Sequence, residues 1–284
     1  TIFSLGVVLT GTGLILTNGD FSKAFQADVR TEKTVDETRV VTSLKLSISA
    51  DNVDFYPSTD GLLHIEYWDS EKTPYVYTYL NGVAELKQTT SFSWFSFGSF
   101  VTKTVKVYVP ASLTDTLTIS LSSGNLHNYG SVINVDTANI NISSGNVNFD
   151  NITAENVFVN MSSGYFNISN CQINDILDIK LSSGGVELQD SYVKSLKTFI
   201  SSGDVSSSGL ETTSVNMTTS SGNVDLHLVS EAQDYTMNLS TSVGKITIEG
   251  AGTSIKTQDQ LQWGDGEYNI ICRTSSGNIS IYFD

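Results

Sequence analysis

The sequence predicts an all-β chain wound as a single-stack parallel β-solenoid, a right-handed β-helix-like coil of roughly 20 residues per turn with an N-terminal β cap. Three observations predict it. Ser-Ser-Gly recurs with its glycine at Gly124, Gly145, Gly164, Gly184, Gly203 and Gly222, spaced 21, 19, 20, 19 and 19 residues apart, then returns at Gly277; Ser242-Val243-Gly244 is a variant 22 residues after Gly222. A fixed period of this length marks repeats that bury their faces against their neighbours. Aligned on glycine, the columns are apolar at alternate places: seven before it stand Leu117, Ala138, Val157, Leu177, Leu196, Val215, Met237 and Ile270, and two after it stand Leu126, Val147, Phe166, Val186, Val205, Val224, Ile246 and Ile279. Period-two alternation is the mark of a strand with one buried face. Finally, the residue after glycine is Asn125, Asn146, Asp204, Asn223 or Asn278, and identical polar side chains stacked at a corner form hydrogen-bonded ladders.

Taken in order, residues 1–20 form an apolar N-terminal segment in which residues 2–16 carry no charge. Fifteen residues fall short of the ~20 that cross a bilayer, so the stretch reads as the remainder of a membrane anchor or signal, or else as an element packed on the body. The solenoid body spans residues 40–284. Residues 40–110 are expected to hold a degenerate first coil, Val41 to Phe55 with Ala50-Asp51 at its corner, followed by alternating strands that cap the open end. Asn81-Gly82 between two of these is a hairpin signal. Residues 111–284 are the repeat coils, and the third apolar stretches at Val132-Ile133, Val193 and Leu210 suggest a further side. Residues 250–267 interrupt the repeat and are expected to cover the far end, because a bare terminal coil is an exposed edge.

Composition restricts the function. The net charge is −15, and there is no basic run, so nucleic acid is disfavoured as a partner. Cys171 and Cys272 lie five coils apart by sequence, about 24 Å at the strand spacing, beyond disulfide reach; both are expected to be buried free thiols. His64, His127 and His227 read as surface histidines. Glu187 and Asp225 share the column three after glycine, two coils apart, a separation of about 9.6 Å that glycoside hydrolysis tolerates, but chance pairing in an acidic chain accounts for them better. No phosphate loop, HExxH motif or calcium repeat occurs, so no cofactor, metal or catalytic residue is expected. The Asn-X-Ser/Thr triplets beginning at Asn141, Asn151, Asn160, Asn167, Asn216, Asn238 and Asn278 follow from strand alternation. Phe92, Trp94, Phe95, Phe97 and Phe100 crowd into one short segment. They read either as a plug over the first coil or as a contact surface for a partner or membrane.

These elements together resemble a known family. The strand pair Leu44 to Val53, the hairpin Tyr79-Leu80-Asn81-Gly82, the aromatic loop, the strand Val105 to Pro110 and the Ser-Ser-Gly coils are similar to the bacterial β-strand-repeat surface proteins labelled putative adhesins. The resemblance covers residues 40–284. It implies a parallel β-solenoid on an extracytoplasmic, often membrane-anchored protein, and it carries over no catalytic residues. The expected function is therefore non-enzymatic: binding of a glycan or protein through a rigid solenoid face, with membrane contact through the N-terminal segment. A membrane-tethered envelope-stress or regulatory sensor domain is the alternative, and a polysaccharide-acting enzyme the third reading.

Overall fold

A computed structural model describes residues 29–71, 73–89, 102–250 and 252–283. Within these, 22 strands join one mixed, largely parallel sheet, and the described residues contain no α-helix. The architecture is all-β and solenoid-like. The side before each Ser-Ser-Gly corner, the leading side, stacks β8 (Thr116–Ser123) on β10 (Ile133–Ser144), β12 (Ile152–Ser169), β13 (Gln172–Ser202) and β15 (Ser214–Ser221) in parallel. The trailing side stacks β9 (Leu126–Asn128), β11 (Val147–Asp150), the later parts of β12 and β13, β14 (Val205–Glu211) and β16 (Val224–Leu228). A third side pairs Ile133 with Ile152, Ala154 with Ile173, and Ser191 with Leu210. Ile133, Ile152, Ile173, Val193 and Leu210 are all buried there.

The corners explain the motif. Gly164 has φ +127°, and a Cβ placed on it would lie 1.8 Å from the Gly145 carbonyl oxygen; at Gly203 the corresponding approach to Gly184 is 1.4 Å. Backbone presses on backbone from coil to coil, so no other residue fits. One residue on, the side-chain ladder forms. Asn52 Oδ1 accepts the Asn125 N–H at 2.8 Å, Asn125 Oδ1 that of Asn146 at 2.9 Å, and Asn146 Oδ1 that of Tyr165 at 3.0 Å. The ladder lapses at Tyr165, whose ring would sit 3.0 Å from a Cβ at Gly185. It resumes from Asp204 through Asn223 and Asn278 to Lys245. A second corner lies six residues after glycine, where Asn151, Asn170 and Asp190 adopt φ of 59°, 52° and 43°; Asn and Asp tolerate this left-handed region better than other side-chain-bearing residues.

Inside, each coil contributes apolar layers, as with Leu117 and Ile119 below Ala138 and Ile140. Two polar residues interrupt the column four after glycine, and both are bonded. Asn128 Oδ1 accepts the Ser131 N–H, and its amide donates to the carbonyls of Ser131 and Asp150. Ser207 Oγ accepts the His227 N–H at 3.1 Å.

The spatial order of coils departs from chain order at both ends. At the C-terminal end, β21 (Tyr268–Ser276) and β22 (Ile279–Phe283) insert between the Gly222 coil and β17 (Tyr235–Val243) with β18 (Ile246–Gly250). The glycines therefore stack 203, 222, 277, 244. β19 (Thr253–Thr257) and β20 (Gln260–Trp263) cover the outside in antiparallel pairing. At the other end β2 (Ser43–Ile48) and β3 (Asn52–Pro57) lie between the Gly124 coil and an outer pair, β6 (Val83–Gln88) with β7 (Thr104–Val109). β4 (Leu63–Asp69) and β5 (Tyr75–Leu80) flank that pair antiparallel, and β1 (Thr31–Glu37) pairs with β4.

Insertion of the last coil corrects one sequence-based distance. Cys171 and Cys272 stand four coils apart, about 19 Å at the strand spacing, rather than five. Both thiols are free and buried, and burial pushes them up to about 11 and about 12.

Two buried carboxylates hold the N-terminal cap. Asp51, fully buried at its corner, accepts bonds from Arg30 at 2.6 and 2.8 Å, from the Tyr75 hydroxyl at 2.8 Å, from Gln88 at 3.2 Å and from the Lys103 N–H at 3.0 Å. Glu37 accepts Arg39 Nε and Nη2 and the Tyr77 hydroxyl, each at 2.7 Å. The bond from Arg39 holds its carboxyl down at about 2.

Three outcomes follow from this geometry. Gly164→Ala should lose about 3 kcal/mol or more in urea unfolding, whereas Ser162→Ala, at an exposed position, should stay within about 0.5 kcal/mol. Iodoacetamide should label neither cysteine in the native protein at pH 8 and both after denaturation. Because the Glu37 pKa falls on folding, its contribution is complete above about 4.5 and disappears as pH drops towards about 2. Glu37→Gln should therefore destabilise the protein by about 2 kcal/mol at pH 7, with the difference vanishing near pH 2 in pH-dependent melts.

Candidate functional site

Period-two alternation on the leading side sends the residues seven, five and three before glycine inward and those six, four and two before it outward. Stacked in register, the outward residues bound a groove of about 650 Å³ that runs along the coil axis. Its floor is the backbone of the column three before glycine, Ile48, Leu121, Ile142, Met161 and Leu181, whose side chains point inward and are each no more than 4% exposed. One wall is the column four before glycine, Ser47, Ser120, Asn141, Asn160, Lys180 and Phe199. The opposite wall is the first serine of each corner motif, with Ser122, Ser143, Ser162, Ser182 and Ser201 all exposed. Asn160 Nδ2 donates to Asn141 Oδ1 at 3.2 Å, a second ladder within the wall. Phe199 stands 54% exposed at one end. Farther along, the floor column turns to threonine, and Thr219, Thr274 and Thr241 bond to the glycine carbonyls of neighbouring coils.

The arrangement is a narrow strip of backbone between two rows of hydroxyl and amide groups, repeated at each coil. It can hold an extended, polyhydroxylated chain by hydrogen bonds along both edges. Among the described residues that line it there is no His, Asp or Glu to act as a base beside the serines.

The trailing side carries a different row. Tyr108, Tyr56 and Tyr129 stack along the axis with centroids 5.6 and 5.2 Å apart, His127 lies 4.9 Å from Tyr129, and His64 meets Tyr108 edge-on. Stacked in this way, the rings turn their faces largely to one another, and the column reinforces the cap end of the sheet. Hydrogen bonding to Asp36, then to Asp60, raises His64, and burial raises Asp54.

Glu187 and Asp225 do fall in one row on this side, separated by Ser206. Both are exposed on an open sheet face. Glu187 accepts a bond from Gln189 at 2.6 Å, and Asp225 lies 3.4 Å from His227. His127 and His227 are kept apart by the intervening coils. Phe92, Trp94, Phe95, Phe97, Phe100 and the N-terminal apolar segment lie outside the described residues. Among the described residues no helix is long and apolar enough to cross a membrane, and no group of His, Cys, Asp and Glu is arranged to hold a metal ion.

Sequence reasoning missed the groove although its signal was present. The two columns before the corner read Ser120, Asn141, Asn160, Lys180, Phe199 and Ser122, Ser143, Ser162, Ser182, Ser201. The glycine is demanded by backbone contact, but nothing in the fold demands the first serine.

Comparison with solved structures gives distant likenesses. A putative adhesin from Parabacteroides distasonis is 13% identical with a TM-score of 0.55, over 89% of this chain and 97% of that one. A putative adhesin from Parabacteroides merdae is 12% identical with a TM-score of 0.51, over 90% and 96%. A putative lipid binding protein from Parabacteroides distasonis is 13% identical with a TM-score of 0.46, over 89% and 97%. At such identities the first two likenesses speak for the fold. No curated protein matches the chain. The model of the Toastrack DUF4097 family matches residues 41–282, from just before β2 to the last strand, and the chain belongs to that family.

Proposed function

We propose that the chain is the rigid ligand-binding body of an extracytoplasmic surface protein, a right-handed β-solenoid of adhesin type that is not an enzyme, and that its leading-side groove holds an extended polysaccharide. The observation that carries the reading is the groove's cross-section: a narrow floor between two polar walls, one pair of wall residues per coil. A pyranose chain has hydroxyl groups along both edges and repeats at close to the coil spacing, so it matches the two walls together. A partner protein finds less here, since protein interfaces rely on clustered aromatic and arginine anchors, and this groove offers Phe199 alone of those types. Placement outside the cytoplasm is supported by the adhesin names of the similar structures and by the uncharged stretch 2–16. The open setting of Glu187 and Asp225 supports binding over hydrolysis.

Ser162→Trp places a bulky ring in the middle of the groove from an exposed position. In affinity electrophoresis against a panel of neutral and charged polysaccharides, the wild type should be retarded by at least one polymer. The variant, with an unchanged melting temperature, should bind it at least about tenfold more weakly, equivalent to about 1.4 kcal/mol. A wild type that no polysaccharide retards, or a variant retarded equally, refutes the reading.

A further inference from the structure

We propose that the polysaccharide this groove takes is acidic, bearing carboxylate groups along its length; the inference rests on the groove being a polysaccharide site. It comes from how the coil distributes charge. Fifteen Lys and Arg face thirty Asp and Glu in the whole chain. On the outward columns six and four before the corner, the balance reverses. There stand Lys45, Lys87, Lys180, Lys197 and Arg273, against Glu85 and Asp178.

The remaining bonds leave much of this charge available. Lys45 pairs with Glu85 at 3.0 Å, and Lys180 reaches Asp178 only at 4.0 Å. Lys87, Lys197 and Arg273 have no carboxylate partner among the described residues. The trailing side has the opposite character. Asp54, Asp150, Glu187, Asp225 and Glu249 point outward there, and its cation Lys106 is bound to Glu66 at 3.0 Å. One face of an acidic rod is thus cationic, and it is the face with the groove.

Position along the axis sharpens the case. Lys87 and Lys45 belong to the two coils at the cap end of the groove, while Lys180 and Lys197 belong to the Gly184 and Gly203 coils at its other end. Between them the wall is neutral, Ser120, Asn141 and Asn160. Charge at both ends of a neutral, hydrogen-bonding track suits a chain whose anionic groups are spaced by sugar rings. The chain's own negative charge does not cancel this, because charges beyond a Debye length of about 8 Å at physiological salt are largely screened.

The test uses the full chain and one matched pair of probes, an oligogalacturonate and its methyl ester, which share a backbone and differ in charge. Binding is followed by calorimetry at 150 mM salt, with polyphosphate and oligo-dT as further probes. The acid form should bind more tightly than the ester. Lys87→Gln/Lys197→Gln, both at exposed positions outside the groove lining, should weaken the acid form about tenfold, as two exposed ion pairs allow, leave the ester within about twofold and leave the melting temperature unchanged. Equal or tighter binding of the ester, abolished by Ser162→Trp, overturns the charge inference and keeps the polysaccharide reading. Binding of polyphosphate or oligo-dT without the uronate overturns the carboxylate assignment. Failure of every probe, neutral polymers included, overturns both readings.

Discussion

The structure depends on a contact between backbones. At each Ser-Ser-Gly corner from Gly145 onward the chain of one coil lies so close to that of the next that a Cβ would fall 1.4–2.0 Å from the neighbouring glycine carbonyl. Such a contact fixes register. A slip of one residue would drive backbone into side chain at the corner and turn every buried column outward. With register fixed, side chains at equal distances from glycine must stack. The apolar core, the Asn ladder and the groove are all rows of this kind. The ladder adds about 1 kcal/mol per bond, but it refines a register that glycine already imposes.

Thin solenoids are weakest at their ends, where a coil has one neighbour. This chain meets the problem twice in the same way. The earliest coil, β2–β3, and the latest, β21–β22, both lie inside the stack, each paired on two sides. The coils that occupy the outer positions are tied into antiparallel strands. At the N-terminal end the corner glycine is replaced by Asp51, which sits where backbone would otherwise continue the row and gathers Arg30, Tyr75, Gln88 and Lys103 around one carboxylate. A buried charge is tolerable only with such complete bonding, and that requirement couples the corner to residues distant in sequence.

The repeat made the coil legible, because periodic glycine and alternating columns act locally and the sequence displays them directly. The degenerate coil around Ala50-Asp51 was legible for the same reason. The order of coils was not. Nothing in the residues of β21 and β22 distinguishes a terminal coil from an inserted one; that choice is made by long-range pairing. The tyrosine column was hidden similarly. Tyr108 precedes the repeat and Tyr56 belongs to the degenerate coil, so neither aligns with Tyr129 until the cap strands are placed. The groove, by contrast, lies in columns that the repeat aligns, but hydroxyl and amide side chains on the outer face of a strand look in sequence like any solvent-facing residues.

Stacking changes what net charge means. In a compact domain, side chains near in sequence are often near on the surface, so a basic site tends to show as a basic run. In a coil of about twenty residues, neighbours on the surface are one period apart in the chain, and a basic face is spread through the sequence as isolated residues. Lys180 and Lys197 illustrate the point: they are separated by most of a turn in sequence and belong to adjacent coils. A total of −15 therefore rules out a uniformly basic body without ruling out a cationic face. Exposed charges interact over roughly a Debye length, about two coil spacings, so a ligand in the groove feels the nearby columns far more than the total. The excess acid on the other sides then has a separate consequence. It keeps such rods apart from one another, while the groove side retains the charge that would draw an anionic chain.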